Sequence, residues 1–330
     1  MKQPCPYLDW FYYIMSLEYK NNERANSADR VGDYLVLNFQ PAGFEQFTLA
    51  TPLGQMVYSA PAANFWHYES EERSPLVFLH SLGGGSSGYE WSKVFPSFAA
   101  THRVIAPDLI GWGDSAHPAI TYDPQAYLAQ IQLLLEEVAV NRAWVVASSL
   151  TAALAVRLAI EQPLLFRGLF LVCPSGYGDF GTGYERQLAA QVIRLPGIDR
   201  LIYRLGAANE LAVRNFLQQF LFAQRSRLSE EMVSAYLASM VKPNAEYAAL
   251  ASLRGDICFD LSVYIGQLQV PTVFVWGAQS RFSSPENGQR LARLNPNVIK
   301  SFHEIPDAGV LPHLEVPAIV TGLLAKYVFP

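Results

Sequence analysis

The stretch from Trp144 to Ala159 constrains this chain more than any other. Trp144, Val145 and Val146 make an apolar, β-branched run, Ala147, Ser148 and Ser149 are small, and an alanine-rich helical pattern follows. The order reads as strand, abrupt turn, helix. A turn of that kind lifts one side chain clear of a sheet edge, where an enzyme holds a nucleophile, and Ser149 is the residue placed there. Ala147 and Thr151 flank it at two residues on each side, so the layout is small-x-Ser-x-small without glycine. A serine does chemistry only with partners, and those must come from elsewhere in the chain.

Length and composition leave room for one α/β core carrying an insertion. The chain has 330 residues, more than an ordinary single domain. Hydrophobic residues make up 51% and charged residues 16%, below the roughly 25% charge usual in soluble domains, so much surface should be covered. The net charge of −5 comes with no basic cluster, which argues against a nucleic-acid partner. Cys5, Cys173 and Cys258 lie far apart without C-x-x-C spacing. That argues against zinc and against a disulfide framework; neither metal nor cofactor is expected, and a reducing, cytoplasmic compartment is the simpler inference. Met1 to Leu17 is aromatic-rich but lacks the layout of a signal peptide. No run of about 18 uncharged apolar residues occurs, so no transmembrane segment is expected.

Taken in order, residues 1–45 read as an N-terminal extension. Its aromatic segment, Trp10 to Leu17, is expected to pack on the body of the protein; peripheral contact of residues 1–20 with a membrane or partner is the alternative. Two alternating runs around Thr51-Pro-Leu-Gly54 read as a hairpin. Pro75 to His80, Arg103 to Asp108, Trp144 to Val146, Gly168 to Pro174, Thr272 to Gly277 and Lys300 to Ile305 are short apolar strands. A helix is expected from about Pro124 to Val140. Strands alternating with helices predict a mostly parallel, eight-stranded sheet with helices on both faces. The gap between Cys173 and Thr272 is too long for a crossover and is mostly helical in pattern, with breaks at Pro196-Gly197, Gly206 and Pro243. The expected division is a core of residues 46–174 and 255–330, with residues 175–254 as an inserted helical cap.

Five stretches in this order resemble the α/β-hydrolase superfamily: His80-Ser-Leu-Gly-Gly-Gly-Ser-Ser87 before Trp91, Pro107 to Ser115, the elbow Ala147 to Ala152, Val270 to Gly277, and Ile305 to Pro317. The resemblance runs from about Glu45 to the C-terminus. It implies an α/β-hydrolase fold, with a nucleophile at the elbow, an acid three residues after the Trp-Gly strand end, and a histidine directly after the glycine that follows the last strand. Ser149 matches the first position. The acid position holds Ser280 and the histidine position holds Val310. A serine hydroxyl is a poor nucleophile unless a base takes its proton, and valine can take none. Loss of the base in a serine triad costs on the order of a millionfold in turnover, about 8 kcal/mol.

Replacements for these partners are few. His313 falls at the start of the last helix, aimed elsewhere, and the resemblance gives His80 the task of bracing the glycine-rich loop. Asp179 could supply an acid from another strand end, but acts on nothing without a base. His67, His102, His117 and His303 read as surface or sheet-edge residues. The resemblance also implies an oxyanion-type pair of backbone N–H groups at Leu82 and Leu150, with His80, Ser81 and Ser148 around the pocket. A β-branched Thr151 near the turn suggests an elbow not shaped solely for a strained nucleophile. The expected function is a hydrolase-fold protein that binds a small apolar ligand or a protein partner under its cap, without competent serine hydrolysis. The alternative is an esterase, thioesterase or lyase that uses Ser149 with a rearranged base.

Overall fold

In the computed structural model, residues 39–66, 73–181 and 208–329 are described. The aromatic N-terminal segment, His67 and the breaks at Pro196, Gly197 and Gly206 lie outside them.

Strands β1 (Phe44–Thr51) and β2 (Gly54–Pro61) form the hairpin, closing on Thr51 and Gly54. The chain continues through β3 (Pro75–Leu79), β4 (Arg103–Pro107), α1 (Pro124–Leu134), β5 (Ala143–Ser148), α2 (Ser149–Glu161) and β6 (Phe166–Val172). Helices α3 (Glu210–Phe216), α4 (Glu230–Met240) and α5 (Ala245–Arg254) precede β7 (Thr272–Gly277), α6 (Pro285–Arg293), β8 (Ile299–Ile305), α7 (Pro312–Glu315) and α8 (Pro317–Val328). All eight strands join one sheet in the order β1-β2-β4-β3-β5-β6-β7-β8. β1 and β2 pair antiparallel, as do β2 and β4; every other pairing is parallel.

Parallel strands need both faces covered, and the residues show it: β3 and β7 are buried at every position. The alanines of α2 let that helix lie close over the sheet, and nearly its whole circumference is buried, Ser149 and Thr151 included. Helix α1 stops earlier than its sequence pattern predicts. It passes at Leu134 into a π-helical turn, Leu135 to Ala139, and Val140 then takes a positive φ of 65° that closes the helix.

Because β3 to β8 run parallel, their C-terminal ends share one sheet edge, and the loops leaving them meet there. One close approach fixes two of these loops. A Cβ on Gly277 would stand 1.8 Å from the Gly309 carbonyl oxygen, so only glycine lets the loop after β7 lie against the loop after β8. The Gln279 N–H donates to the Ala308 carbonyl at 2.9 Å across the same junction.

Candidate functional site

Ser149 is the first residue of α2 and has φ of 58°, between an extended Ser148 and a helical Leu150. The left-handed conformation costs an L-residue roughly 1–2 kcal/mol. This strained turn corrects the expectation drawn from Thr151. The strain is confined to Ser149, whereas Thr151 is already inside the helix, where a β-branched side chain is tolerated. The Leu150 N–H lies in the first turn of α2, where no helical carbonyl stands four residues behind it.

The partner of the Ser149 hydroxyl is Tyr177, whose phenol oxygen hydrogen-bonds to Ser149 Oγ. Burial drives the Tyr177 pKa well above the ordinary phenol value, with Ser149 pulling weakly the other way. A phenol that stays protonated takes no proton from serine, so the contact orients the hydroxyl without activating it.

The two remaining triad positions lie on the paired loops after β7 and β8. Ser280 is buried, its N–H donating to Gly277 O at 3.0 Å. Val310 is 3% exposed, and its N–H donates at 3.0 Å to the carbonyl of Leu221, in the segment between β6 and β7. Neither side chain carries charge or a basic nitrogen. At the end of β6, burial pushes the Cys173 thiol up to about 12, which keeps it protonated at neutral pH.

The histidines are committed elsewhere. His80 Nε2 accepts from the Leu109 N–H at 2.9 Å, so Nδ1 carries the proton and donates to Ser81 O at 2.6 Å. Both His80 nitrogens are therefore used. Ser81 donates through Oγ to Glu90 Oε1 and through N–H to Glu90 Oε2, both at 2.8 Å. His80 and Ser81 were expected to line the pocket; their polar atoms instead serve the network behind the glycine-rich loop. Ser148, the third expected pocket residue, is fully buried.

His313 stacks on Trp91 with ring centres 3.9 Å apart, and its Nε2 is 3.8 Å from Glu90 Oε2. Burial lowers its pKa, so it is neutral at pH 7. Glu90 also accepts from Tyr236 of α4 at 2.9 Å. Burial alone would raise the Glu90 pKa, but His313, His80 and the Ser81 N–H together hold it down to about 2. Contrary to expectation His102 is not at the surface: it is buried beneath the chain end, with Nε2 3.3 Å from the Val328 carbonyl oxygen. His303 lies on the edge strand β8 and bonds Tyr327; His117 bonds the Gly113 carbonyl.

Asp179 is equally occupied. Its carboxylate accepts from Ser175 Oγ at 2.7 Å, Leu261 N–H at 2.9 Å and Gly176 N–H at 3.2 Å, while burial raises its pKa. No group of three metal-ligating side chains occurs among the described residues.

Three aromatic residues in a chain leading from Ser149 escape sequence reasoning. Tyr177 meets Phe282 edge-on at 6.3 Å, and Phe282 lies 6.5 Å from Phe220, in the segment between β6 and β7. Phe282 follows the acid position by two residues, so the loop that lacks an acid contributes an aromatic ring. The only signal in the sequence was position, since Tyr177 lies a few residues beyond a strand end, where this edge collects its side chains.

A parallel sheet with a serine held at positive φ between strand and helix defines the α/β-hydrolase class. The chain belongs to the alpha/beta hydrolase family, whose profile matches residues 76–322. It is 25% identical over 244 residues to a 2-hydroxy-6-oxo-6-phenylhexa-2,4-dienoate hydrolase of Burkholderia cepacia, covering 71% of this chain and 80% of that one. To the uncharacterized hydrolase YugF of Bacillus subtilis it is 24% identical over 289 residues, or 84% of this chain and 98% of the relative. The crystal structure of carboxylesterase CesB from Bacillus subtilis superposes with a TM-score of 0.69 at 14% identity, covering 97% of this chain and 99% of that chain. That likeness concerns the fold. Among the described residues no helix is long and apolar enough to cross a membrane.

Proposed function

We propose that this protein binds a small, largely apolar ligand between its core and residues 175–254, acting as a cap, and that it does not run the Ser-His-acid reaction. One observation carries the reading: the nucleophile position pairs with a protonated phenol, while the base position is a buried valine bonded to the cap. Hydrolysis needs an acceptor for the serine proton as the tetrahedral intermediate forms. His80 has both nitrogens engaged, His313 lies against Trp91 and Glu90, and the sequence between residues 175 and 254 contains no histidine. The aromatic rings of Tyr177, Phe282 and Phe220 suit an apolar body.

A second reading is favoured by two observations. The strained backbone of Ser149 is that of a nucleophile, and the relatives named above are hydrolases. Under it, the chain hydrolyses an ester or a carbon–carbon bond with a base brought in by movement. Turnover of p-nitrophenyl butyrate separates the two. The binding reading expects rates no higher than those of Ser149→Ala, whereas a rate far above background that vanishes in Ser149→Ala would establish the hydrolase.

A further inference from the structure

The contact between Ser149 and Tyr177 has more order around it than two stray hydroxyls require. Both residues are held at positive φ, 58° for Ser149 and 60° for Tyr177, although neither is glycine. Strained backbone persists where its surroundings over-determine it. Here the Ser175 N–H donates to the Ser149 carbonyl at 3.4 Å, and the Tyr177 N–H donates to Ser175 Oγ at 3.1 Å. Ser175 in turn donates to the buried Asp179 at 2.7 Å. A Cβ on Gly176 would lie 2.2 Å from the Phe259 carbonyl oxygen, so the Tyr177 loop is pressed onto its neighbour with no slack. Asp179, a candidate acid in the sequence, is thus the anchor that fixes the Tyr177 loop.

Counting protons gives the consequence. Two hydroxyls joined by one hydrogen bond use one O–H and leave the other. Among the described residues neither oxygen has a second hydrogen-bond partner. A phenol is a stronger donor than an alcohol, so Tyr177 donates and the Ser149 proton is left, polarised by the bond its oxygen accepts. Among the described residues, the ionisable groups that act on the Tyr177 phenol are Cys258, Cys173 and Asp179, none of them cationic, so an anionic ligand finds no opposite charge among them to offset its desolvation. The ring of Phe282 supplies an apolar wall.

We propose that Ser149 and Tyr177 form a paired-hydroxyl recognition site in which Tyr177 positions the Ser149 O–H toward the carbonyl oxygen of a neutral, largely apolar ligand such as a ketone or ester. This rests on the ligand-binding reading above. It turns the residue in the nucleophile position into a hydrogen-bond donor that selects ligands by their acceptor atom.

The test uses three probes of one shape: 2-acetylnaphthalene, its alkene isostere 2-isopropenylnaphthalene, and 2-naphthoate. Calorimetric titration of the full chain is expected to give the ketone an affinity about tenfold above the alkene, the value of one good hydrogen bond, with the carboxylate weakest. In Ser149→Ala/Tyr177→Phe the ketone should fall to the level of the alkene, with a cooperative thermal unfolding transition followed by circular dichroism checking that the variant is folded. The infrared carbonyl band of bound ketone should lie lower in the wild type than in the double variant. Equal affinity of ketone and alkene in the wild type, or a preference that survives in the double variant, overturns the paired-hydroxyl site and leaves the pocket standing. Failure of all three probes to bind overturns the pocket and this site together. Tightest binding of the carboxylate overturns the assignment to a neutral ligand.

Discussion

At the end of β5 a serine is held in a left-handed conformation costing roughly 1–2 kcal/mol, in the posture of a nucleophile. At the end of β8 the corresponding loop carries Val310, whose side chain is buried and whose N–H is bonded to the Leu221 carbonyl. The difference follows from what each region does for the fold. The elbow is the junction between a central strand and a deeply buried helix, so its backbone geometry is tied to the packing of α2. The acid and base are side chains on loops, and replacing them leaves the sheet intact. Loops 277–280 and 307–310 keep their mutual packing through Gly277 against Gly309, with Ser280 and Val310 at their tips. Under the ligand-binding reading proposed above, a nucleophile's backbone would persist without its acid and base.

The largest expected effect comes from refilling the empty roles. Val310→His combined with Ser280→Asp should raise aryl-ester turnover above wild type on the order of 10²- to 10³-fold, since a base and its orienting acid are what the elbow lacks. A folded but silent double variant would break the comparison by showing that the elbow has also lost function.

Next is the Glu90 network, which ties the glycine-rich loop to α4. Glu90→Ala strands Tyr236 and both Ser81 donors, and should cost about 3–5 kcal/mol in urea unfolding. The sign of its pH dependence follows from its pKa. A carboxyl lowered from 4.5 to about 2 contributes stability above pH 4.5 that drains away as the pH falls toward 2, amounting to about 3 kcal/mol. His313, with its pKa lowered by burial, adds to the loss in the same direction, beginning below about pH 6.5. Glu90→Gln should flatten the part between 4.5 and 2, as followed by thermal unfolding across that range.

Gly277→Ala should cost about 3 kcal/mol, because its methyl group meets the Gly309 carbonyl and one backbone must shift. If its melting temperature matches wild type, the two loops are not as tightly joined as described. The smallest effect sharpens the view of Ser149 itself. Ser149→Gly and Ser149→Ala both lose the bond to Tyr177, but only glycine relieves the positive φ, so glycine should be the more stable by about 1 kcal/mol.

Much of the fold was legible because it rests on local pattern. The eight strands, the hairpin at Gly54 and the helical segment before β7 follow from apolar runs and their spacing. The strained residue was also identifiable, since Ser149 sits where strand pattern gives way to helix. What surrounds it was not. Tyr177 reaches Ser149 across 28 residues of sequence, and Phe282 meets Tyr177 from farther along the chain; neither shows a motif. The hydrogen-bond partners of His80 and Ser81 were hidden for a related reason. Their direction depends on Glu90 and Leu109, and the side of a strand end that a polar group faces is set by its hydrogen-bond partners. His102 read as exposed because its burial depends on the chain terminus folding back over it.

Whether Ser149 has a base is read by intact-mass measurement after exposure to a fluorophosphonate, with an active serine esterase labelled alongside. If it has none, the wild-type chain carries no adduct beyond that on Ser149→Ala, under conditions that saturate the esterase. A stoichiometric adduct on the wild type that is lost in Ser149→Ala would contradict the proposed absence of a base.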